Sequence, residues 1–90
     1  MSYKIVLTGR TLKQLEKIEL KQRKLLANAI DGIAEADDPK SLPNAKKLQG
    51  VEDGWRWRVG VYRILGICQD DVLIIELFRI GHRRDVYRNL

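Results

Sequence analysis

Trp55-Arg56-Trp57-Arg58-Val59-Gly60-Val61-Tyr62-Arg63 alternates large apolar residues with arginines on either side of a glycine. Side chains in a strand point to opposite faces in turn, so the spacing predicts Trp55, Trp57 and Val59 on one face and Arg56 and Arg58 on the other. A tight turn at Gly60 then starts a second strand over Tyr62 to Cys68 and brings Arg63 back beside the first two arginines. The tryptophans read as core residues packed on helices rather than as platforms for bases. The three arginines read as one basic face: guanidinium groups on a stiff sheet present fixed forks of donors, suited to phosphate oxygens.

On the C-terminal side, Gln69-Asp70-Asp71 supplies a turn, and Val72 to Ile80 is apolar apart from Glu76 and Arg79. A run that apolar predicts a central strand covered on both faces. Gly81 is expected to end it, followed by His82-Arg83-Arg84-Asp85-Val86-Tyr87 and a short polar tail. On the N-terminal side, Tyr3 to Leu7 has the composition of a short first strand. Thr8-Gly9 breaks it, and Thr11 with Gln14 matches a capping box. Leu12, Leu15 and Ile18 then share a helical face, whereas Leu25, Leu26, Ala29, Ile30 and Ile33 start a new stripe, which predicts two helices bent near Glu19-Leu20-Lys21. Asp37-Asp38-Pro39 stops the second, because the residue before proline disfavours helical geometry. A loop with Pro39 and Pro43 leads to Ala45-Lys46-Lys47-Leu48-Gln49-Gly50. The expected fold is α+β, a single domain over residues 1–90. It comprises a short N-terminal strand, two helices, then a three-stranded antiparallel meander, with the helices on one face of the sheet.

Composition narrows the function. Ninety residues bury only roughly 60–65% of their surface. Cys68 is the single cysteine, which excludes an internal disulfide, and it reads as buried and inert in mid-strand. No stretch has the length of a membrane span, so a soluble, cytoplasmic protein with no membrane partner is expected. The net charge is +5, and all eight lysines lie at or before Lys47. After Gly54 the cations are seven arginines against four carboxylates, a net +3. Such a half favours an anionic partner, such as the backbone of RNA or DNA.

Among the residues able to do chemistry, His82 stands out as the one histidine, beside Arg83 and Arg84 at a strand end. Histidine titrates near neutrality, and cationic neighbours favour the neutral ring that a general base requires. Tyr87, among arginines, is the candidate acid. No His/Cys or carboxylate cluster has metal-ligand spacing, no Walker-type loop or Gly-x-Gly-x-x-Gly is present, and no cofactor is expected. What remains suits phosphoryl transfer without a metal, in which arginines stabilise the charged phosphorane. RNA makes this easiest, since its 2′-hydroxyl is positioned to attack the adjacent phosphate.

Leu48-Gln49-Gly50, the Trp55–Arg63 stretch and Ile80-Gly81-His82-Arg83-Arg84-Asp85-Val86-Tyr87 together resemble the RelE branch of the RelE/ParE toxin superfamily. The order of elements agrees along nearly the whole chain. The resemblance implies a toxin of a type II toxin–antitoxin system, an endoribonuclease (mRNA interferase) that enters the ribosomal A site and cuts mRNA, leaving a 2′,3′-cyclic phosphate. It implies a cognate RelB-like antitoxin as partner, acidic and partly disordered, expected on the apolar rows of the helices and on the edge strand Tyr3–Leu7. It carries the family's basic sheet residues over to Arg56, Arg58 and Arg63, its strand-end arginine to Arg83 and its C-terminal tyrosine to Tyr87. Arg84 adds a further cation for RNA.

Two departures qualify it. Relatives carry lysines where Arg56 and Arg58 stand, and a lysine there is the proposed base. Arginine holds phosphate but keeps its proton, so His82 becomes the expected base, with Lys46 or Lys47 behind it. Leu65-Gly66 replaces a bulky apolar-aromatic pair and has no sequence-level account beyond packing. The rival readings are a ParE-like DNA gyrase inhibitor and a non-catalytic RNA-binding module.

Overall fold

The computed structural model describes residues 2–90 and builds five strands and two helices. The order is β1 (Lys4–Leu7), α1 (Gly9–Glu16), α2 (Leu20–Glu35), β2 (Ala45–Lys47), β3 (Gly54–Val59), β4 (Tyr62–Gln69) and β5 (Ile74–His82), with a 3₁₀ turn at Pro39–Ser41 before β2. The strands form one sheet in the order β1-β5-β4-β3-β2. The expected meander is present as β3, β4 and β5, all antiparallel. The sheet is nevertheless mixed, because β1 runs parallel to β5 at its edge and β2 adds antiparallel to β3.

The helices lie against one face. Leu26, Ile33, Trp57, Ile64, Cys68, Ile75, Leu77 and Ile80 are buried there, each at most 5% exposed. Fully burying a side chain of this size contributes about 1.5–3 kcal/mol before entropy is counted. Trp57 sits at the centre, and its indole N–H donates to the Pro39 carbonyl at 3.0 Å, which ties the 3₁₀ turn to the sheet. The opposite face carries a smaller apolar cluster of Leu48, Leu65 and Val86, flanked by Val51 and Phe78. β5 is thus covered on both sides, as its composition implied.

Several boundaries moved for identifiable reasons. Thr8, not Thr11, is the N-cap of α1: its hydroxyl accepts from the Thr11 amide at 3.2 Å and meets the Thr11 hydroxyl at 2.7 Å. Gln14 is then free of capping, and its Oε1 accepts the Ile80 amide at 2.9 Å. That amide lies past the end of β1, whose last residue pairs with Leu77, so the helix side chain completes the ladder where the neighbouring strand stops. Leu12 and Leu25, which belong to the apolar rows of the two helices, are about half exposed at 49% and 51%. β5 does not end at Gly81 but runs on to His82.

The register of β4 on β5 shifts at Leu65/Gly66: Leu65 pairs with Arg79 and Gly66 with Leu77, leaving Phe78 as the extra residue of a β-bulge. The bulge reverses the alternation of β5. Ile75 and Leu77 face the helices before it and Ile80 after it, so Arg79 turns to the other face. The bulge also accounts for Gly66. A Cβ there would lie 2.9 Å from Leu77 Cδ2 and 3.2 Å from the Glu76 carbonyl oxygen. Leu65, completely buried, fills the opposite face instead.

Candidate nucleic-acid interface and active site

Cross-strand register lays out the face away from the helices row by row. In one row Lys46 pairs with Arg56, Arg56 with Leu65 and Leu65 with Arg79. In the next, Arg58 pairs with Arg63 and Arg63 with Gly81. Directly opposed side chains stand about 5 Å apart at Cβ, so Lys46, Arg56, Arg58 and Arg63 form a continuous basic patch. The two-residue turn at Gly60–Val61 requires the left-handed backbone that Gly60 supplies at φ 60°. It also holds Arg63, whose guanidinium donates to the Gly60 and Tyr62 carbonyls, each at 2.9 Å.

After β5 the chain folds back across this face. The Asp85 and Val86 amides both donate to the His82 carbonyl at 2.9 Å, and Val86 buries itself against Leu48 and Leu65. The fold-back carries Tyr87 to the mouth of a cleft of about 390 Å³ lined by Lys46, Lys47, Leu48, Gln49, Arg56, Tyr87 and Leu90. Tyr87 is 40% exposed there. The cleft joins a cationic wall, a phenol and the basic patch, an arrangement that can hold a phosphodiester and exchange protons with it.

The expected site residues separate into two groups. Arg56, Arg58, Arg63, Lys46 and Tyr87 share one face. Arg83 is exposed beside the hairpin turn, its amide donating to the Val61 carbonyl at 2.7 Å, and Arg84 follows it at the surface. His82 is elsewhere. Arg63 pairs with Gly81, so its neighbour pair, Tyr62 and His82, points to the helix side, where the two rings meet edge to face at 6.3 Å. The His82 Nδ1 accepts the Arg84 amide at 3.2 Å. Expected as the base among the arginines, His82 is thus turned away from Arg56, Arg58 and Arg63 by strand alternation. Lys46 and Lys47 both line the cleft but start from opposite faces of β2. Lys46 stands beside Arg56, whereas Lys47 pairs with Trp55 and holds its ammonium 5.7 Å from that ring.

Sequence reasoning missed Arg79. It is only 8% exposed, and its guanidinium donates to the Val86 carbonyl at 3.0 Å and to the Arg88 carbonyl. A lone cation in an apolar run was the available signal. Cys68 lies on the helix side, where burial pushes its thiol up to about 11, so it stays protonated at neutral pH.

The sequence and the fold are both similar to those of known proteins. The sequence is 26% identical over 89 residues to toxin RelE1 of Methanocaldococcus jannaschii, covering 99% of each chain. The fold matches RelE in the archaeal RelE–RelB complex from Pyrococcus horikoshii with a TM-score of 0.78 at 19% identity, covering 96% of this chain and all of that one. The isolated RelE toxin of E. coli matches with a TM-score of 0.75 at 22% identity, over 90% of this chain and 84% of that one. A family model described as the ParE toxin of the type II toxin–antitoxin system parDE matches residues 5–87. With that match spanning almost the whole sequence, the chain belongs to the ParE toxin family of type II toxin–antitoxin systems, and it shares its fold with RelE toxins.

Proposed function

We propose that this toxin is a ribosome-dependent endoribonuclease that cuts mRNA in the A site without a metal ion. The observation that carries the reading is the meeting of Lys46, Arg56 and Tyr87 around one cleft, next to the Arg58–Arg63 pair. Arg56, Arg58 and Arg63 grip the scissile phosphate and stabilise the added charge of the phosphorane. Lys46 takes the proton of the 2′-hydroxyl as that oxygen bonds to phosphorus. Tyr87 gives its proton to the 5′-oxygen as the P–O5′ bond breaks, leaving a 2′,3′-cyclic phosphate and a 5′-hydroxyl. Lys46 replaces His82 as the base because it stands on the arginine face and can release a proton, which an arginine does not. Arg83 and Arg84, at the rim, contact flanking RNA.

The partner in the resting cell is an acidic, partly disordered antitoxin. RelE is bound to RelB in the Pyrococcus horikoshii complex, and this chain offers Leu12, Leu20 and Leu25 on its helices, each at least 49% exposed, with Val6 on the edge strand β1. A segment laid there would cover apolar surface that the fold leaves open. The cytoplasm, where ribosomes and mRNA are met, is the compartment this function requires.

Primer extension on a translated message tests the reading. Cuts inside A-site codons, absent without ribosomes, are expected from the parent and from His82→Ala. Loss of about 10²-fold or more is expected from Tyr87→Phe and from Lys46→Ala. An intact message together with inhibited DNA supercoiling would instead assign gyrase as the target, in keeping with the parDE system after which the family is described.

A further inference from the structure

Tyr87 lies in a short tail beyond the last strand, yet general acid catalysis needs a donor fixed to within about 0.5 Å. Its neighbours hint at what fixes it. The Val86 side chain is anchored in the small apolar cluster, but a single apolar contact leaves the backbone free to pivot about it. The second anchor is Arg79. Its guanidinium reaches from β5 to the Val86 and Arg88 carbonyls, the residues immediately before and after Tyr87. Both contacts depend on the bulge at Phe78. Without it, strict alternation would send Arg79 toward the helices with Ile75 and Leu77.

Stability alone does not explain this residue. Arg79 is 8% exposed, and its Nε is buried with no hydrogen-bond partner among the described residues. Burying a guanidinium with one donor unsatisfied is costly, and an apolar side chain of similar length would fill the site at less expense. What an apolar side chain lacks is a donor nitrogen such as Nη1, which here holds both carbonyls at once. An exposed ion pair between Asp85 and Arg88, at 3.4 Å, adds little to the same turn.

We infer that Arg79 is a positioning residue for Tyr87: its guanidinium clips the backbone on both sides of the tyrosine and so fixes the phenol over the Lys46–Arg56 cleft. The inference rests on the nuclease reading for its catalytic consequence. Its structural half stands apart from that reading.

The test uses full-length toxin, purified from its antitoxin complex, in four variants: Arg79→Met, Arg79→Lys, Tyr87→Phe and the Arg79→Met/Tyr87→Phe double variant. Hydrogen exchange of the Asp85, Val86 and Arg88 amides is expected to rise in Arg79→Met while the amides of β4 keep their protection. In ribosome-dependent cleavage, kcat is expected to fall about tenfold or more with KM within about twofold, since a general acid contributes roughly 10²–10⁴-fold when well placed. The double variant is expected to cleave as slowly as Tyr87→Phe alone, because removing the clip cannot matter once the hydroxyl is gone. Arg79→Lys, which keeps a cationic donor, is expected to recover part of the rate. Losses that multiply in the double variant would overturn the inference, and so would tail exchange equal to the parent's in Arg79→Met. If Arg79→Met loses protection throughout the sheet, Arg79→Lys decides: unchanged tail exchange together with a lost rate would overturn the clip. A parent that cleaves nothing would refute the nuclease reading, and the exchange measurements would still judge the clip.

Discussion

Replacing Gly66 by alanine adds one methyl group at the point where β4 meets the bulge of β5. The new carbon would lie 2.9 Å from Leu77 Cδ2, 3.2 Å from Ile75 Cγ2 and 3.2 Å from the Glu76 carbonyl oxygen. Leu77 and Ile75 are completely buried, so neither side chain has empty space to retreat into, and the carbonyl belongs to the backbone of an interior strand. Overpacking of this kind costs about 1–3 kcal/mol. Against it stands the loss of glycine's freedom in the unfolded chain, which favours alanine by about 0.4–1 kcal/mol. The net is a destabilisation of about 1–2 kcal/mol, and a domain of this size should melt roughly 5–15 °C lower. Gly81→Ala is the matched control. Its Cβ would meet Val86 at 3.5 Å, an ordinary contact, so its Tm should stay within about 3 °C of the parent. Thermal unfolding followed by circular dichroism separates the two. Equal or higher stability for Gly66→Ala would refute the packing argument, and so would an equal loss in both variants.

Gln14→Leu keeps the helix but removes the acceptor for the Ile80 amide at a residue only 2% exposed, and the orphaned donor should cost about 1–3 kcal/mol in urea unfolding. Unchanged stability would mean that water or another acceptor takes the amide. Asp70 accepts from the Lys40 ammonium and from the Tyr3 hydroxyl, and chiefly through Lys40 its carboxyl is held below the usual carboxylate value. Because the folded pKa lies below the unfolded one, this stability is fully present above pH ~4 and is lost as pH falls through the lower folded value. The pair is solvent-screened, with the Asp70 side chain 50% exposed, so Asp70→Asn should cost no more than about 1 kcal/mol at pH 7. The difference from the parent should vanish in acid, and a difference that persisted at pH 2 would assign the effect to something other than the carboxylate.

Much of the arginine face was legible because Trp55 to Arg63 alternates cleanly about a glycine that a two-residue turn demands. Period two placed Trp57 in the core and Arg56, Arg58 and Arg63 together on the far side. The features that escaped are those set by pairing rather than by composition. β2 is three residues long with no alternation of its own, so nothing in Ala45-Lys46-Lys47 announces a strand until it lies against β3. For the same reason Lys46 and Lys47 were interchangeable in sequence, although only Lys46 stands beside Arg56. His82 follows the same logic: its facing depends on Arg63 pairing with Gly81, a register that no local pattern records. The bulge at Phe78 hid Arg79, since an apolar run with one extra residue looks like any buried strand. Leu65-Gly66, which had no account in sequence, is the other half of that bulge.

The place of β5 in the sheet also bears on the order in which the chain is made. Lys4 pairs with Ile74 and Leu7 with Leu77, so β1, the earliest strand of this sheet in the sequence, has as its partner the latest. Until β5 has been synthesised, β1 has no ladder to join, and contacts this distant in sequence form late. The tail that carries Tyr87 follows β5, and the surface that Val86 and Arg79 hold in place is completed with it. A nascent chain arrested after Gln69 should accordingly leave the amides of residues 4–7 unprotected from exchange. The basic hairpin needs only residues 54–69, whereas the cleft also needs β5 and the segment after it, so the basic face is encoded ahead of the group that completes the cleft.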